Sequence, residues 1–298
     1  MTNTFRSLVA ATAAAAALSL IPLASAGAST TVPTSTTSNW AGYYMTRPGL
    51  TTYLGHRYQP RLDAANAMFT VPTGQRAHSA GKSVYEGAMW AGLGGYAKVH
   101  GRSESLEQAG VVELAGKTGP QRYMIFWEMY PSNHEQNFNG HPVYVKPGDK
   151  IQAFIQTPLM SGTGAWIFRV TVNGKPYIQS VPASKYHTDE PTTAEVITEW
   201  AGGIAGIGPR GIAGKAVNGM PNTGTVRYDY AGALVQYTVP QPVPVTQHRL
   251  VLDNTIRVWK NPVAGWVPQR TLVFPTAAQA TGEFGPGRLA FNTIYTSA

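Results

Sequence analysis

A chain of 298 residues, 43% of them hydrophobic, is long enough for one large domain with its own core. It has no cysteine, which excludes disulfides, thiolate nucleophiles and cysteine-bound metal. The net charge is +8, yet lysine and arginine occur singly, so they describe a solvated cationic surface rather than a nucleic-acid footprint.

Residues 1–26 carry an export pattern: Arg6, an apolar stretch from Leu8 to Leu23, then Ala24-Ser25-Ala26 at a cleavage position. The apolar stretch is short for a membrane span and no later run matches it. The expectation is a secreted, extracellular protein with no membrane contact after cleavage. Residues 27–37, "GASTTVPTSTT", read as a flexible leader.

From residue 38 to 239 short β-rich runs alternate with Gly, Pro and Asn. Among them are "ANAMFTVP", "RYMIFWEMYP", "DKIQAFIQT" and "TVRYDYAGALVQYTV". In "AWIFRVTVNGKPYIQSV", Asn173-Gly174 between two alternating runs predicts a hairpin. The pattern predicts an antiparallel β-sandwich or barrel. Glycine-rich patches at 91–95 and 202–214 lack the spacing of a dinucleotide or phosphate loop and read as tight or mobile loops. Pro240 to Val245 is an extended connector, and 246–298 holds further strand-like pieces that either complete the sheets or form a small add-on.

Seven histidines are scattered, with no pair at ligand spacing, so neither a metal site nor a cofactor is expected. No Gly-x-Ser-x-Gly elbow occurs, and no Asp-Thr-Gly or Asp-Ser-Gly. What remains is carboxylate and amide chemistry. In "EPTTAEVITEW", strand alternation puts Glu195, Ile197 and Glu199 on one face. Two carboxylates on an apolar face are costly unless chemistry keeps them there.

Six segments in order carry a resemblance. They are Ser38-Asn39-Trp40-Ala41-Gly42, Trp90-Ala91-Gly92-Leu93-Gly94-Gly95, Ser105-Leu106-Glu107-Gln108-Ala109-Gly110-Val111, Trp127-Glu128-Met129-Tyr130-Pro131, Pro147-Gly148-Asp149-Lys150-Ile151 and Ala194-Glu195-Val196-Ile197-Thr198-Glu199. Together, over roughly Ser38 to Tyr237, the chain resembles the glutamic peptidases (eqolisins). The resemblance implies a bent, jelly-roll-like sandwich of two antiparallel sheets with a substrate groove on its concave face. It implies catalysis by Gln108 and Glu199 through an activated water, without metal or covalent intermediate. Trp90 and Glu128 would support substrate binding and hydrogen bonding, Asn39 and Trp40 would fix the first strand, and Glu195 would take a supporting or rim position. The expected partner is a polypeptide substrate, cleaved in acid by a monomer insensitive to pepstatin. Two positions depart from the family pattern: Gly94 stands for an aspartate, and Val196 for a tryptophan.

The alternatives are a secreted carbohydrate-binding sandwich, for which 7 Trp and 15 Tyr would supply platforms, or an inactive homologue. A lectin has no need for Gln108 and Glu199 to converge.

Overall fold

A computed structural model describes residues 34–37, 40–47, 51–53, 56–58, 61–74, 85–96, 98–99, 102–115, 121–186, 188–200, 223–236, 246–253, 271–275, 279–280 and 289–297. The export segment 1–26, Asn39, the 202–214 glycine patch and the proline connector lie outside them.

The described residues form a sandwich of two antiparallel sheets. In the first sheet the strands run Arg122–Tyr130, Leu106–Ala115, Tyr85–Gly94, Thr193–Trp200, Trp40–Thr46 and Thr246–Asp253. In the second they run Lys175–Pro182, Ala165–Val172, Lys150–Gln156, Arg61–Thr70, Thr225–Gln236 and Leu289–Ser297. The strand Thr271–Pro275 pairs with the last member of each and joins them. Strands from beyond residue 246 thus pair directly with both sheets.

Alternation explains the outer strands. Lys150–Gln156 buries Ile151, Ala153 and Ile155 while its polar residues lie nearer solvent. The hairpin at Asn173-Gly174 is present, both residues holding positive φ of 49° and 86°, as a tight turn of this hand requires. Asp149, in the Pro-Gly-Asp segment, accepts from Lys146 N at 2.9 Å and from Asn173 Nδ2 at 2.9 Å, so its work is to lock a turn.

Between the sheets Met45, Leu93, Val111, Ile125 and Trp127 meet Phe69, Ile155, Phe168 and Val170. A second apolar cluster, including Trp90, Val112, Phe126 and Ile197, covers the other face of the first sheet. That outer face carries the site.

Candidate active site

Residues paired across a ladder share a face, so the register places the site. Tyr44, Glu195, Gly92, Gln108 and Glu128 form one row. Trp40, Glu199, Ala88, Val112 and Met124 form another on the same face, four residues away or about 13 Å of strand. Between them runs the row of Gly42, Ile197, Trp90, Gly110 and Phe126.

Trp90 bridges these rows. Its indole N–H donates to Glu199 Oε2 at 2.8 Å, while the far edge of its ring lies over Gly92. A Cβ at Gly92 would sit 2.7 Å from that ring, so the glycine is what lets the indole lie there. Trp40 meets Trp90 edge to face at 5.2 Å. Tyr96 stacks on Tyr44 at 4.1 Å and lies 6.4 Å from Trp40, giving the site an aromatic border.

Gln108 Nε2 donates to Glu128 Oε2 at 2.5 Å. Both residues are buried, and Gln108 Oε1 is a buried acceptor with no hydrogen-bond partner. Glu199 is half-buried. Its charge joins the two ends of the site. Burial first and the Glu199 charge second push Glu128 up to about 8, against the hydrogen bond from Gln108.

Clamps align the strands that carry these groups. Ser105 N donates to Asp189 Oδ2 at 3.0 Å, and Asp189 N to Ser105 Oγ at 2.9 Å. Thr192 gives its N–H and hydroxyl to the two oxygens of Glu104, at 2.6 and 3.0 Å. These four bonds tie the segment before Gln108 to the one before Glu199. From beneath, the Tyr228 hydroxyl donates to Ile197 O at 2.8 Å and lies 2.9 Å from Thr198 Oγ1, fastening the Glu199 strand to the second sheet.

Several expectations change at this level. Glu195 is not at a rim: it is fully buried in the row of Gln108, and neither of its oxygens has a hydrogen-bond partner. Burial holds its carboxyl well above the usual glutamate range; Thr193 offsets part of the rise, and the charges of Glu104 and Glu107 add smaller amounts to it. Gly94 holds φ +81°, and a Cβ there would fall 2.2 Å from Ser105 O, so an aspartate has no room. Val196 points into the core between the sheets, away from the site. Trp90 is fully buried, yet on the site face.

The sequence motifs missed Glu86, His134 and Glu135. Glu86 sits on the Trp90 strand, two residues before the partner of Glu199. Burial and then the Glu199 charge push it up to about 7, while a hydrogen bond with Glu135 lowers it. Glu135 and His134 come from the short strand Asn133–Gln136, which folds back beside Trp127 and Met129. His134 Nδ1 lies 3.7 Å from Glu128 Oε1. No one-chain motif marks such a set, because sheet register and a bulged turn assemble it. Among the described residues no three acidic or histidine side chains are grouped to hold a metal ion.

Comparison with known proteins gives one family and little else. No curated protein matches. Among solved structures, one described as an alginate lyase, Aly36B, is similar at 7% identity and a TM-score of 0.27, over 52% of this chain and 67% of that one. The Peptidase A4 family model matches residues 38–242, a span that holds Trp40, Trp90, Gln108, Glu128 and Glu199. The match covers well over half of the 298 residues, and the chain belongs to the Peptidase A4 family, the glutamic peptidases.

Proposed function

We propose that this protein is a secreted, acid-acting endopeptidase in which Gln108 and Glu199 activate a water. The observation that carries the reading is the state of Gln108. Its Nε2 is committed to Glu128 while its Oε1 is buried, unpartnered and on the Glu199 face.

The chemistry follows from the donors. The reading requires one water to reach both Gln108 Oε1 and the Glu199 carboxylate, whose rows lie about 13 Å apart along the strands with the Trp90 indole between them. Glu199 takes the proton as the water attacks the scissile carbonyl. The second hydrogen of Gln108 Nε2 is free to meet the developing oxyanion, and an amide supplies donor and acceptor together without titrating. Protonated Glu199 then passes its proton to the leaving amine. The Trp90 N–H stabilises the ionised form of Glu199. Glu199 is also more accessible to water than Glu86 and Glu128, so less desolvation opposes its charge.

The test is hydrolysis of casein or a quenched peptide between pH 3 and 7, with pepstatin present and circular dichroism as a control for folding. Glu199→Gln and Gln108→Glu are expected to be inactive and folded, and Glu195→Gln active in acid. Near-normal turnover by Glu199→Gln, or loss of activity in Glu195→Gln alone, overturns the assignment. Export rests on residues 1–26, and sequencing of the supernatant protein is expected to start at Gly27.

A further inference from the structure

Glu86 and Glu135 belong to none of the six segments, yet both stand beside Glu199. Glu86 shares the site face with Ala88 and Trp90, and Ala88 pairs with Glu199, which makes Glu86 its diagonal neighbour. On its other side Glu86 pairs with Leu114, an apolar residue. The Glu135 carboxyl comes over from the Asn133–Gln136 strand and hydrogen-bonds that of Glu86. Each keeps one oxygen, Glu86 Oε1 and Glu135 Oε2, buried without a partner. Among the described residues no lysine or arginine forms an ion pair with either.

Ionised carboxylates only accept hydrogen bonds, so two carboxyls bonded to each other must hold at least one proton. The charges that face the pair are Glu199 from its own strand and Glu128 from Arg122–Tyr130, with His134 beyond Glu128. Among the described residues, every near neighbour that titrates, His134 apart, is an acid. The pair is therefore a place where negative charge is hard to add and, once added, falls directly on the reacting groups.

The geometry points to Glu86 and Glu135 as a proton-sharing pair that confines the hydrolysis proposed above to acid. While the pair is neutral, Glu199 carries the local charge alone. When the pair ionises, its charge opposes both the Glu199 carboxylate and the oxyanion that Gln108 must stabilise. The two are positioning residues, since they act through Glu199 and need not touch substrate. This rests on the Gln108–Glu199 reading.

The cluster sets the expected pH range. Glu86 is pushed up to about 7 and Glu128 up to about 8. In the native chain kcat/KM falls as pH passes about 7, where the pair first loses a proton. With the pair made unable to ionise, the next acid facing Glu199 to lose its proton is Glu128, so the fall moves to higher pH, less the part of the Glu128 rise that the Glu86 charge supplied.

The experiment measures kcat/KM against pH for the full chain and for the double variant Glu86→Gln/Glu135→Gln, whose amides can still bond each other. The alkaline limb is expected to move to higher pH, giving more activity beyond the native limb, with KM and the acid limb unchanged. A limb that stays at the native position overturns the proposal. So does an equal loss at every pH, the mark of a scaffolding role. Should the double variant fail to fold, Glu86→Leu/Glu135→Met gives the same test with an apolar pair. Infrared difference spectra separate this from the peptidase reading. A protonated-carboxyl band that titrates away near neutral pH must be present in the inactive Glu199→Gln chain and lost with the pair. Absence of that band overturns the proton-sharing pair even if Glu199 proves catalytic. A silent wild-type chain overturns the peptidase reading instead.

Discussion

The amide of Gln108 is useful to a hydrolase only if its oxygen and nitrogen point the right ways, and Glu128 decides that. As an acceptor 2.5 Å from Nε2, it turns Oε1 toward the site. Glu128→Leu leaves a buried amide unpaired and free to rotate. It is expected to lower stability by about 1–3 kcal/mol and kcat by about 10²-fold, with KM nearly unchanged. Glu128→Gln, whose amide oxygen still accepts, is expected to recover much of both. Steady-state kinetics and thermal melts decide, and an unchanged kcat in Glu128→Leu rules the role out. Glu195 makes the opposite case. Its carboxyl is held well above the ordinary range by burial, so the native chain keeps a proton there that the unfolded chain loses as pH rises. Glutamine mimics the protonated form and does not titrate. Glu195→Gln is expected to melt like the native chain at pH 4 and at a higher temperature at pH 7. A lower melting temperature at both would mean that Glu195 has a partner only glutamate can satisfy.

At the scale of strands, the working unit is three rows of one sheet held in register by glycine as much as by side chains. Gly92→Ala puts a methyl group 2.7 Å from the fully buried Trp90 ring, with Leu106 Cδ1 at 3.0 Å. Neither neighbour can withdraw far, so the indole tilts and its bond to Glu199 weakens. The expected result is a stability loss of about 1–3 kcal/mol, a larger proportional loss of kcat, and altered tryptophan fluorescence. A variant with native fluorescence and native kcat would show that the indole does not set the Glu199 geometry. Much of this element scale was legible in the sequence. Alternation and turn residues gave the strands and the Asn173-Gly174 hairpin, because period-two burial and left-handed turns leave local traces. The motif series put Trp90, Gln108, Glu128 and Glu199 in one protein, and the ladder puts them on one face. Glu86 and Glu135 left no such trace. They lie 49 residues apart in sequence and meet only because a bulged hairpin carries one over the strand of the other. The burial of Glu195 was hidden for the same reason: alternation assigns a face, but not what covers it.

Across the whole molecule the buried carboxyls act together, and their sign is uniform. Burial raises Glu86 to about 7 and Glu113 and Glu128 to about 8, and it holds Glu107, Glu135 and Glu195 well above the usual range. In the unfolded chain all six lose their protons near the ordinary glutamate value of 4.5. Between that value and the folded one the native state therefore binds more protons than the unfolded state, and stability falls as pH rises. Their contribution is fully present below about pH 4.5 and is lost progressively above it. For each such carboxyl the loss is on the order of 1 kcal/mol per pH unit over that interval. Against a total stability of roughly 5–15 kcal/mol that is a large share. The opposing force appears only in strong acid, where the exposed carboxylates lose their charge and a chain of net charge +8 at neutrality becomes still more positive and repels itself. The prediction is a melting temperature highest near pH 4 to 5 and falling steadily toward pH 7.5, followed by calorimetry in buffers of equal ionic strength. The double variant Glu113→Gln/Glu128→Gln should flatten that fall. A melting temperature that is level or rising between pH 5 and 7 would mean that these carboxyls are ionised in the folded protein. The proposal that Glu199 is the working base would fail with it.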